Sequence, residues 1–435
     1  MTAAPTRANG AAFASPIAVS ECAAEVREIV RSARAARIPL RIVACGGWLD
    51  GGRPVRAERR LSLNSMAGIV EYTPGDLTLT ARAGTTLGQL DRVTAAEGQW
   101  LPLDPFYGIA AGEPADAGAF DGAWPAAGSI GATAATASAG PLAHAFGSPR
   151  DIVLGVEFVT GSGDVVRAGG RVVKNVAGFD LTRLTIGAWG TLGVITELSL
   201  RLRARPEVDE TVVAFLPADP GELVTTVEAL RVAPLAAMAL ELVNAPLARK
   251  LDIASSTDRT ASSTVVVARL GGNADAVSAQ RGAISAIRSS AMTRKGGHSG
   301  LEVHEIADAV TFWRNLRSCE PARAAVLRLS APPARIGVTW LAALQLEQAL
   351  PNTLLHATVG RGVVRCIMPV TDAGALQRAI AAVPAPVTRI FERLPADAWP
   401  LLAPAAARDR LSRRVRDAFD PERLLNPGIL GEADA

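Results

Sequence analysis

Three glycines at regular spacing could form part of a ligand-binding site. Gly187, Gly190 and Gly193 recur at every third position and are followed directly by the β-branched run VIT at 194–196. Glycine accepts a positive φ and allows a backbone to approach a ligand at van der Waals distance. The pattern is typical of a structural turn before a strand, and equally of a place where main chain meets a flat or phosphorylated cofactor.

A second glycine-rich stretch, GSIGATAATASAGPLAHAFGSPRD at 128–151, contains almost no large side chain. Its polar groups are backbone amides and the hydroxyls of Ser129, Thr133, Thr136 and Ser138. Such a surface suits close contact with a cofactor's diphosphate and ring edge. The alternative is an alanine-rich helix over 132–139.

A third glycine cluster, CGGWLDGGRP at 45–54, follows the predicted strand LRIVA at 40–44. Its four glycines and Asp50 exclude a helix and predict an exposed loop of amide groups. A nicotinamide-binding Rossmann fold is disfavoured, because its fingerprint needs GxGxxG opening a helix and no helical stripe follows here. No GxxxxGK[ST] occurs, which disfavours a P-loop nucleotide hydrolase.

Histidines and cysteines supply few further reactive groups. His144 lies in the second glycine-rich stretch and His356 follows an apolar pair, so these two are the candidates for catalytic contact, with a plain loop or strand-end position as the alternative. His298 and His304 are predicted in a loop and an exposed strand, and we expect no histidine to ligate a metal. The four cysteines include no CxxC pair, which argues against a zinc or iron–sulfur site made by this chain alone.

Length and charge restrict the class of protein. A chain of 435 residues exceeds one ordinary core and predicts two or three domains. A formal net charge of +3 and an aromatic content of 4% give no reason to expect nucleic-acid binding. With no signal-peptide pattern or long apolar run, we expect a cytoplasmic protein, or one peripherally associated with the inner membrane through partners.

Turn signals and apolar periodicity predict the elements that must position these loops. Ser20 is placed to cap a helix that ends before Pro39, and TLGQLDRVTAA at 86–96 reads as a second helix. Hairpins are predicted around PGD at 74–76 and GSGD at 161–164. After residue 206, alternating strand and helix patterns predict an antiparallel sheet backed by helices, and a basic helix at 408–419 precedes the ending.

These segments together resemble a family of flavoproteins. The glycine loop at 45–47, PLDP at 102–105, the 128–166 block, and the motifs KNVAGFDL and GAWGTLGVITELSL occur in the order of the vanillyl-alcohol-oxidase and D-lactate-dehydrogenase group. The run VVKNVAGFDLTRLTIGAWGTLGV is more narrowly similar to the FAD-binding subunit of bacterial glycolate oxidase. The likeness covers residues 20–205 and resumes at FDPERLLNPGIL, 419–430.

The resemblance implies an α+β fold, with a two-part PCMH-type FAD-binding domain followed by a smaller antiparallel sheet-plus-helices domain. The expected divisions are a mobile tail at 1–15, the FAD-binding domain at 16–205, a cap or substrate-like domain at 206–405, and a C-terminal helix with the NPG ending at 406–435. That last part is expected to pack back on the FAD-binding domain.

The resemblance also implies a set of FAD contacts. The loop at 44–50 would wrap the pyrophosphate, the stretch at 128–151 would approach the flavin and diphosphate, and the glycine-rich segment at 187–195 would hold the adenine side. With no histidine near Gly46, we expect FAD to be bound non-covalently. The implied cofactor-binding residues are Ala44, Cys45, Gly46, Gly47, Trp48, Leu49, Asp50, Pro102, Gly128, Ser129, Gly131, Ser138, Gly140, Gly147, Arg150, Gly187, Gly190, Thr191, Gly193, Val194 and Ile195.

Two departures from the family pattern bear on function. Many relatives carry a glutamate at the position of Trp189, within GSEGTLG. Catalytic relatives also carry a histidine-rich GHxGDGNxH site, for which LLHATVGRGVVRCIM at 354–368 keeps only His356. A site that takes the proton of a 2-hydroxyl group is therefore incomplete on this chain.

The resemblance thus implies a subunit of a complex that oxidises glycolate to glyoxylate, with electrons passing through FAD to an iron–sulfur partner subunit. A homologous, more complete flavoprotein subunit is the favoured site of hydride transfer. Two alternatives remain: a stand-alone FAD-dependent dehydrogenase of another 2-hydroxy acid such as D-lactate, and a non-catalytic scaffold subunit that retains FAD.

Overall fold

The structure is a computed structural model that describes residues 17–106, 128–170, 179–253, 264–287, 300–321, 324–369, 372–384, 387–404 and 410–431. The tail predicted at 1–15 and the KNVAG segment at 174–178 lie outside the described residues, as do His298 and Arg408.

Helices are spread along the whole described chain. They are α1 (Ala23–Ala36), α2 (Leu87–Ala95), α3 (Ile130–Thr136), α4 (Ala143–Phe146), α5 (Pro149–Ile152), α6 (Leu181–Thr185), α7 (Pro220–Val232), α8 (Ala245–Lys250), α9 (Ala274–Ser285), α10 (Ala309–Arg317), α11 (Ile336–Ala349), α12 (Ala373–Ala381), α13 (Trp399–Leu402) and α14 (Arg410–Phe419).

Strands alternate with these helices. They are β1 (Ile17–Val19), β2 (Leu40–Val43), β3 (Arg59–Ser62), β4 (Ile69–Thr73), β5 (Thr78–Arg82), β6 (Gln99–Trp100), β7 (Val153–Val159), β8 (Val165–Gly169), β9 (Val194–Arg201), β10 (Arg203–Ala204), β11 (Val208–Phe215), β12 (Ala239–Val243), β13 (Val265–Gly272), β14 (Val303–Glu305), β15 (Ala325–Ser330), β16 (Leu354–Thr358), β17 (Val363–Met368) and β18 (Thr388–Arg393).

Side-chain caps explain where many of the helices begin. Thr86 accepts the Gln89 N–H, and the Gln89 side chain accepts the Thr86 N–H, which completes a capping box at the start of α2. Asp219, Asn244 and Asn273 cap α7, α8 and α9 in the same way through one side-chain oxygen each. The helix predicted over 86–96 is therefore confirmed to within one residue at each end.

The cap predicted at Ser20 is wrong. Helix α1 begins at Ala23 after Cys22, and the Ser20 hydroxyl donates to the Cys22 carbonyl at 3.1 Å instead of accepting an N–H. The Ser20 N–H donates to the Ser62 carbonyl at 3.2 Å, which continues the parallel pairing of β1 with β3. This non-local pairing holds residue 20 in an extended backbone and moves the helix start toward the C-terminus.

The described strands form distinct sheets. A three-stranded parallel sheet has the order β1-β3-β2, and a five-stranded antiparallel sheet has the order β4-β5-β9-β7-β8. An eight-stranded antiparallel sheet has the order β14-β11-β13-β12-β16-β17-β15-β18, and β6 pairs with β10. The predicted β4–β5 and β7–β8 hairpins are confirmed, as is the antiparallel sheet of the second half.

The eight-stranded sheet is buried on both faces. Along β12, Leu240 and Leu242 join one apolar cluster with α7 and α11, whereas Ala239 and Val243 join a second cluster with α8 and α10. This alternation follows from the two-residue repeat of a strand. Glu241 shares the second face, which therefore carries a buried carboxyl group among apolar neighbours.

Candidate cofactor site

A cavity lies where four segments meet. These are the end of β2 with the loop after it, the start of α3, the loop between α6 and β9, and the ending of the chain. The described lining residues are Arg41, Ile42, Val43, Ala44, Cys45, Gly46, Gly47, Trp48, Leu49, Leu63, Ala83, Gly128, Ser129, Gly131, Ala132, Ala135, Thr136, Trp189, Gly190, Gly193, Ile195, Asn426 and Ile429.

The loop after β2 exposes backbone to this cavity. Gly46 has a φ of +82°, and a Cβ placed there would meet only the Leu49 side chain, at 3.7 Å. The Leu49 N–H donates to the Gly46 carbonyl at 3.2 Å, which closes a tight turn. A residue other than glycine is strained at this φ, so the turn depends on Gly46 while its inner side stays open.

Trp189 lies in the loop between α6 and β9 and lines the cavity. Its backbone has a φ of +55°, unusual for a bulky residue, and is fixed by the Trp189 N–H donating to the Ala135 carbonyl at 2.8 Å. Its ring meets Trp48 edge-on, with 5.6 Å between centroids. An aromatic pair thus connects the loop after β2 with the loop between α6 and β9.

The ending of the chain closes one wall. The Asn426 side-chain oxygen accepts the Ile42 N–H at 2.9 Å, and its amide nitrogen donates to the Trp189 carbonyl at 2.8 Å. The Leu40 N–H donates to the Leu424 carbonyl at 2.8 Å. Asn426 therefore connects β2, the loop between α6 and β9, and the NPG ending.

Twelve of the residues implied by the resemblance come together around the cavity. All are described, and they are Ala44, Cys45, Gly46, Gly47, Trp48, Leu49, Gly128, Ser129, Gly131, Gly190, Gly193 and Ile195.

The other implied residues lie outside the described lining and make contacts within the protein. Arg150 donates to the Ile186 carbonyl at 3.0 Å, next to Gly187. The Ser138 hydroxyl donates to the Phe106 carbonyl at 3.0 Å. The residues outside the lining are Asp50, Pro102, Ser138, Gly140, Gly147, Arg150, Gly187, Thr191 and Val194.

Both histidine candidates also lie outside the described lining, on the side of the eight-stranded sheet. His356 is 2% exposed, and its Nδ1 lies 3.1 Å from Oε2 of Glu241. Its ring packs against Phe106 with centroids 4.8 Å apart. His144 Nδ1 accepts the Gly360 N–H at 3.2 Å, which requires that nitrogen to be unprotonated.

Burial disfavours the charged form of both members of the His356–Glu241 pair. Burial, helped by Arg365, lowers the pKa of His356 to about 3. Burial raises the pKa of Glu241 to about 8, against a hydrogen bond with Thr358. Among the described residues, His356 Nε2 and Glu241 Oε1 have no hydrogen-bond partner.

Sequence reasoning missed two polar residues of the cavity wall. Arg41 lies in β2, five positions before Gly46, and a charged residue in the strand that leads into a glycine loop was the available signal. Asn426 was expected in the ending that packs back, but its contacts depend on pairing across the whole chain.

The residues present fit a dinucleotide that carries a flat ring system and a phosphate group. The walls combine small apolar side chains with the open backbone at Gly46, and Arg41 is the only charged residue in the described lining. Apolar walls with a few placed polar groups are typical of cofactor sites.

Comparison with protein families bears on the cofactor. Residues 15–112, which include β2 and the glycine loop at 45–54, match the family model described as the FAD binding domain. FAD is the cofactor, as the sequence resemblance implied.

Curated relatives match part of the chain. Glycolate oxidase subunit GlcE of Escherichia coli is 39% identical over 41% of this chain and 46% of its own length. Glycolate oxidase subunit GlcD of Bacillus subtilis is 31% identical over 44% and 37%, respectively. Mitochondrial D-lactate dehydrogenase [cytochrome] of Arabidopsis thaliana is 32% identical over 44% and 31%. The matches thus span less than half of the length of each of these relatives.

Solved structures agree with the fold of the FAD binding domain and of the sheet that follows it. p-Cresol methylhydroxylase superposes with a TM-score of 0.65 and 15% identity over 96% of this chain and 90% of its own. Alkyldihydroxyacetonephosphate synthase gives 0.63 and 15% over 94% and 76%. The expected PCMH-type fold, followed by an antiparallel sheet with helices, is confirmed. Among the described residues, no helix is long and apolar enough to cross a membrane.

Proposed function

We propose that this chain binds FAD non-covalently and is a subunit of an assembly that oxidises glycolate to glyoxylate. FAD, when bound, supplies the capacity to accept a hydride from C2 of a 2-hydroxy acid or to carry electrons between centres. The similarity to a glycolate oxidase subunit and the glycine-lined cavity support this proposal. In it, this FAD is a relay or a structural cofactor, and hydride transfer occurs on a homologous flavoprotein subunit.

The accessory role is supported mainly by one observation: the side chains that could act as an acid or base already contact other groups of the protein. Hydride removal from a 2-hydroxy acid needs a group that takes the hydroxyl proton. His356 contacts Glu241, and His144 accepts the Gly360 N–H. Asp104 of the PLDP segment accepts the Leu142 N–H at 3.1 Å. Each of these groups already has a structural partner away from the described cavity lining.

The proposed partners follow from the same reasoning. Electrons that reach this FAD need an acceptor, and the cysteine spacing of this chain gave no sign of a cluster site. We therefore place an iron–sulfur subunit and a more complete flavoprotein subunit beside this chain.

The test is anaerobic addition of glycolate, then D-lactate, to the isolated chain reconstituted with FAD, while the absorbance of oxidised flavin is followed. The flavin should stay oxidised with either acid and become reduced by glycolate once partner subunits are added. Reduction by dithionite is the control that the bound flavin can be reduced.

A stand-alone dehydrogenase of another 2-hydroxy acid is the second candidate. The unsatisfied atoms His356 Nε2 and Glu241 Oε1, beside Phe106, favour it because they leave a donor or acceptor for a ligand. Bleaching of the flavin by D-lactate without partners would establish this function in place of the accessory role. Loss of that bleaching in His356→Ala would assign the proton acceptor.

A further inference from the structure

Arg41 has an unusual position on the cavity wall. Its Nη2 donates to the Leu49 carbonyl at 3.1 Å and, more loosely, to the Trp48 carbonyl at 3.4 Å. Its Nη1 is buried and has no hydrogen-bond partner among the described residues. A guanidinium offers five donors, so this one is only partly satisfied.

The charge of Arg41 is also poorly compensated. Asp50 attracts it, but the Asp50 carboxylate is paired with Arg393, with 3.3 Å between Oδ1 and Nε. Arg60 lies directly opposite Arg41 in the β2–β3 register and repels it. Burial, followed by the charge of Arg60, lowers the pKa of Arg41 to about 10, so that it remains protonated at neutral pH. A buried charge of this kind is costly unless a ligand offsets it.

We infer that Arg41 provides the counter-charge for the diphosphate of the bound dinucleotide. This inference rests on FAD occupying the cavity, as proposed above. The diphosphate is the part of FAD that carries negative charge at neutral pH, and Arg41 is the only charged residue in the described lining. The resemblance implied that loop amide groups contact the phosphates, and Arg41 adds a cation beside the same loop.

A different role for Arg41 is to brace the loop through the Leu49 and Trp48 carbonyls. The two roles differ in what they predict for ligands with and without phosphate. A brace affects every ligand and the stability of the apoprotein, whereas a counter-charge affects only anionic ligands. Removal of an uncompensated charge should leave the apoprotein as stable as before or more stable.

The experiment measures the affinities of the apoprotein for FAD, ADP and riboflavin by fluorescence or calorimetry, in wild type, Arg41→Met, Arg41→Lys and Arg60→Met. Arg41→Met should weaken FAD and ADP by about tenfold to hundredfold, the range for a charged interaction, and leave riboflavin within about threefold. Arg41→Lys should recover part of the lost affinity for FAD and ADP, because lysine keeps the positive charge but lacks the forked donors of a guanidinium. Arg60→Met removes the neighbouring charge outside the described lining, so FAD affinity should stay within about threefold of wild type.

Two further readouts complete the test. The melting temperature of apo Arg41→Met should equal or exceed that of wild type, and FAD binding to wild type should weaken with added salt more steeply than riboflavin binding does. An equal loss for FAD and riboflavin, or unchanged FAD affinity in Arg41→Met, would overturn the inference. If Arg41→Met does not fold, equal salt dependence of FAD and riboflavin in wild type would overturn it. Wild type that binds no FAD would contradict the proposed function itself.

Discussion

Small side chains define the cofactor cavity at the scale of single residues. Ala132 and Ala135 lie on the cavity side of α3, while Gly131 of the same helix packs so closely that a Cβ would meet the Ala83 carbonyl oxygen at 2.8 Å. The start of α3 is therefore held close to the residue that follows β5. Alanine at positions 132 and 135 keeps space on the cavity side available for a ring.

Ala132→Phe should place a ring inside the cavity and reduce FAD affinity by at least about tenfold, since overpacking a filled site costs about 1–3 kcal/mol. Ala35→Phe, at an exposed position of α1, is the matched control and should leave FAD affinity unchanged. Fluorescence titration of both apoproteins with FAD makes the comparison. Normal FAD affinity in Ala132→Phe would place the cofactor elsewhere.

The buried Glu241 should make stability depend on pH. Its folded pKa is raised from 4.5 to about 8, so wild type is most favoured with the carboxyl protonated and loses stability as the pH rises from about 4.5 through about 8. Glu241→Gln carries no such proton. The difference in free energy of unfolding, variant minus wild type, should therefore increase between pH 5 and pH 9, as measured by urea denaturation.

His356 contributes the opposite slope at acid pH. Its folded pKa of about 3 lies below the ordinary 6.5, so its contribution to stability is present above pH 6.5 and is lost as the pH falls toward 3.

Glu21→Gln, at an exposed site, is the control for the loss of a carboxylate in the Glu241→Gln experiment. A constant difference in free energy of unfolding between Glu241→Gln and wild type from pH 5 to pH 9 would show that Glu241 ionises normally.

At the scale of elements, strand β18 connects the eight-stranded sheet to the glycine loop at 45–54. Arg393 is buried at the end of β18; it donates to the Gly47 carbonyl at 3.0 Å and to Glu320 at 2.7 Å. Its guanidinium lies 4.8 Å from the Trp48 ring centroid. The same side chain thus connects the second sheet with a backbone group and a ring of the cofactor cavity.

Arg393→Met should loosen the loop at 44–52 and destabilise the protein by about 3 kcal/mol, because Glu320 loses one of its two arginine partners in a buried network. Hydrogen exchange of the loop amides should accelerate, and FAD affinity should fall. Arg389→Met, at an exposed position of the same strand, should change neither. Unchanged exchange in the Arg393 variant would show that the loop is positioned without β18.

Local elements were predictable from the sequence, whereas contacts between distant segments were not. The α2 capping box and the β4–β5 hairpin follow from residues close to one another in the chain. Asn426 makes its contacts with segments far away in the chain, and the pairing of β1 with β3 prevents Ser20 from capping α1. Twelve of the implied residues line one cavity because glycine-rich loops carry a recognisable pattern; their contact with FAD stays a prediction.

At the scale of the whole molecule, the end of the chain completes the domain formed by its beginning. Leu425 bridges Leu40 in parallel, and Asn426 reaches both β2 and Trp189. Leu425 is fully buried in the same apolar cluster as β5, β7 and β9. Residues that follow the eight-stranded sheet in the sequence therefore complete the apolar cluster formed by the segments that precede it.

Asn426→Ala should lower the free energy of unfolding by about 2–4 kcal/mol, because it leaves the Ile42 N–H and the Trp189 carbonyl without partners and strains a residue with a φ of +44°. FAD affinity should fall as well, since both groups belong to the cavity wall. Asn352→Ala, an exposed asparagine with a φ of +67°, isolates the cost of the backbone conformation. Equal losses in the two variants would assign the whole effect to φ.

The most direct test of FAD binding by this chain is the flavin content of the purified chain after incubation with excess FAD, removal of free ligand and acid denaturation. We expect one FAD per chain, recovered entirely in the soluble fraction because it is bound without a covalent link. A chain that retains no flavin, or flavin that stays with the precipitated protein, would contradict it.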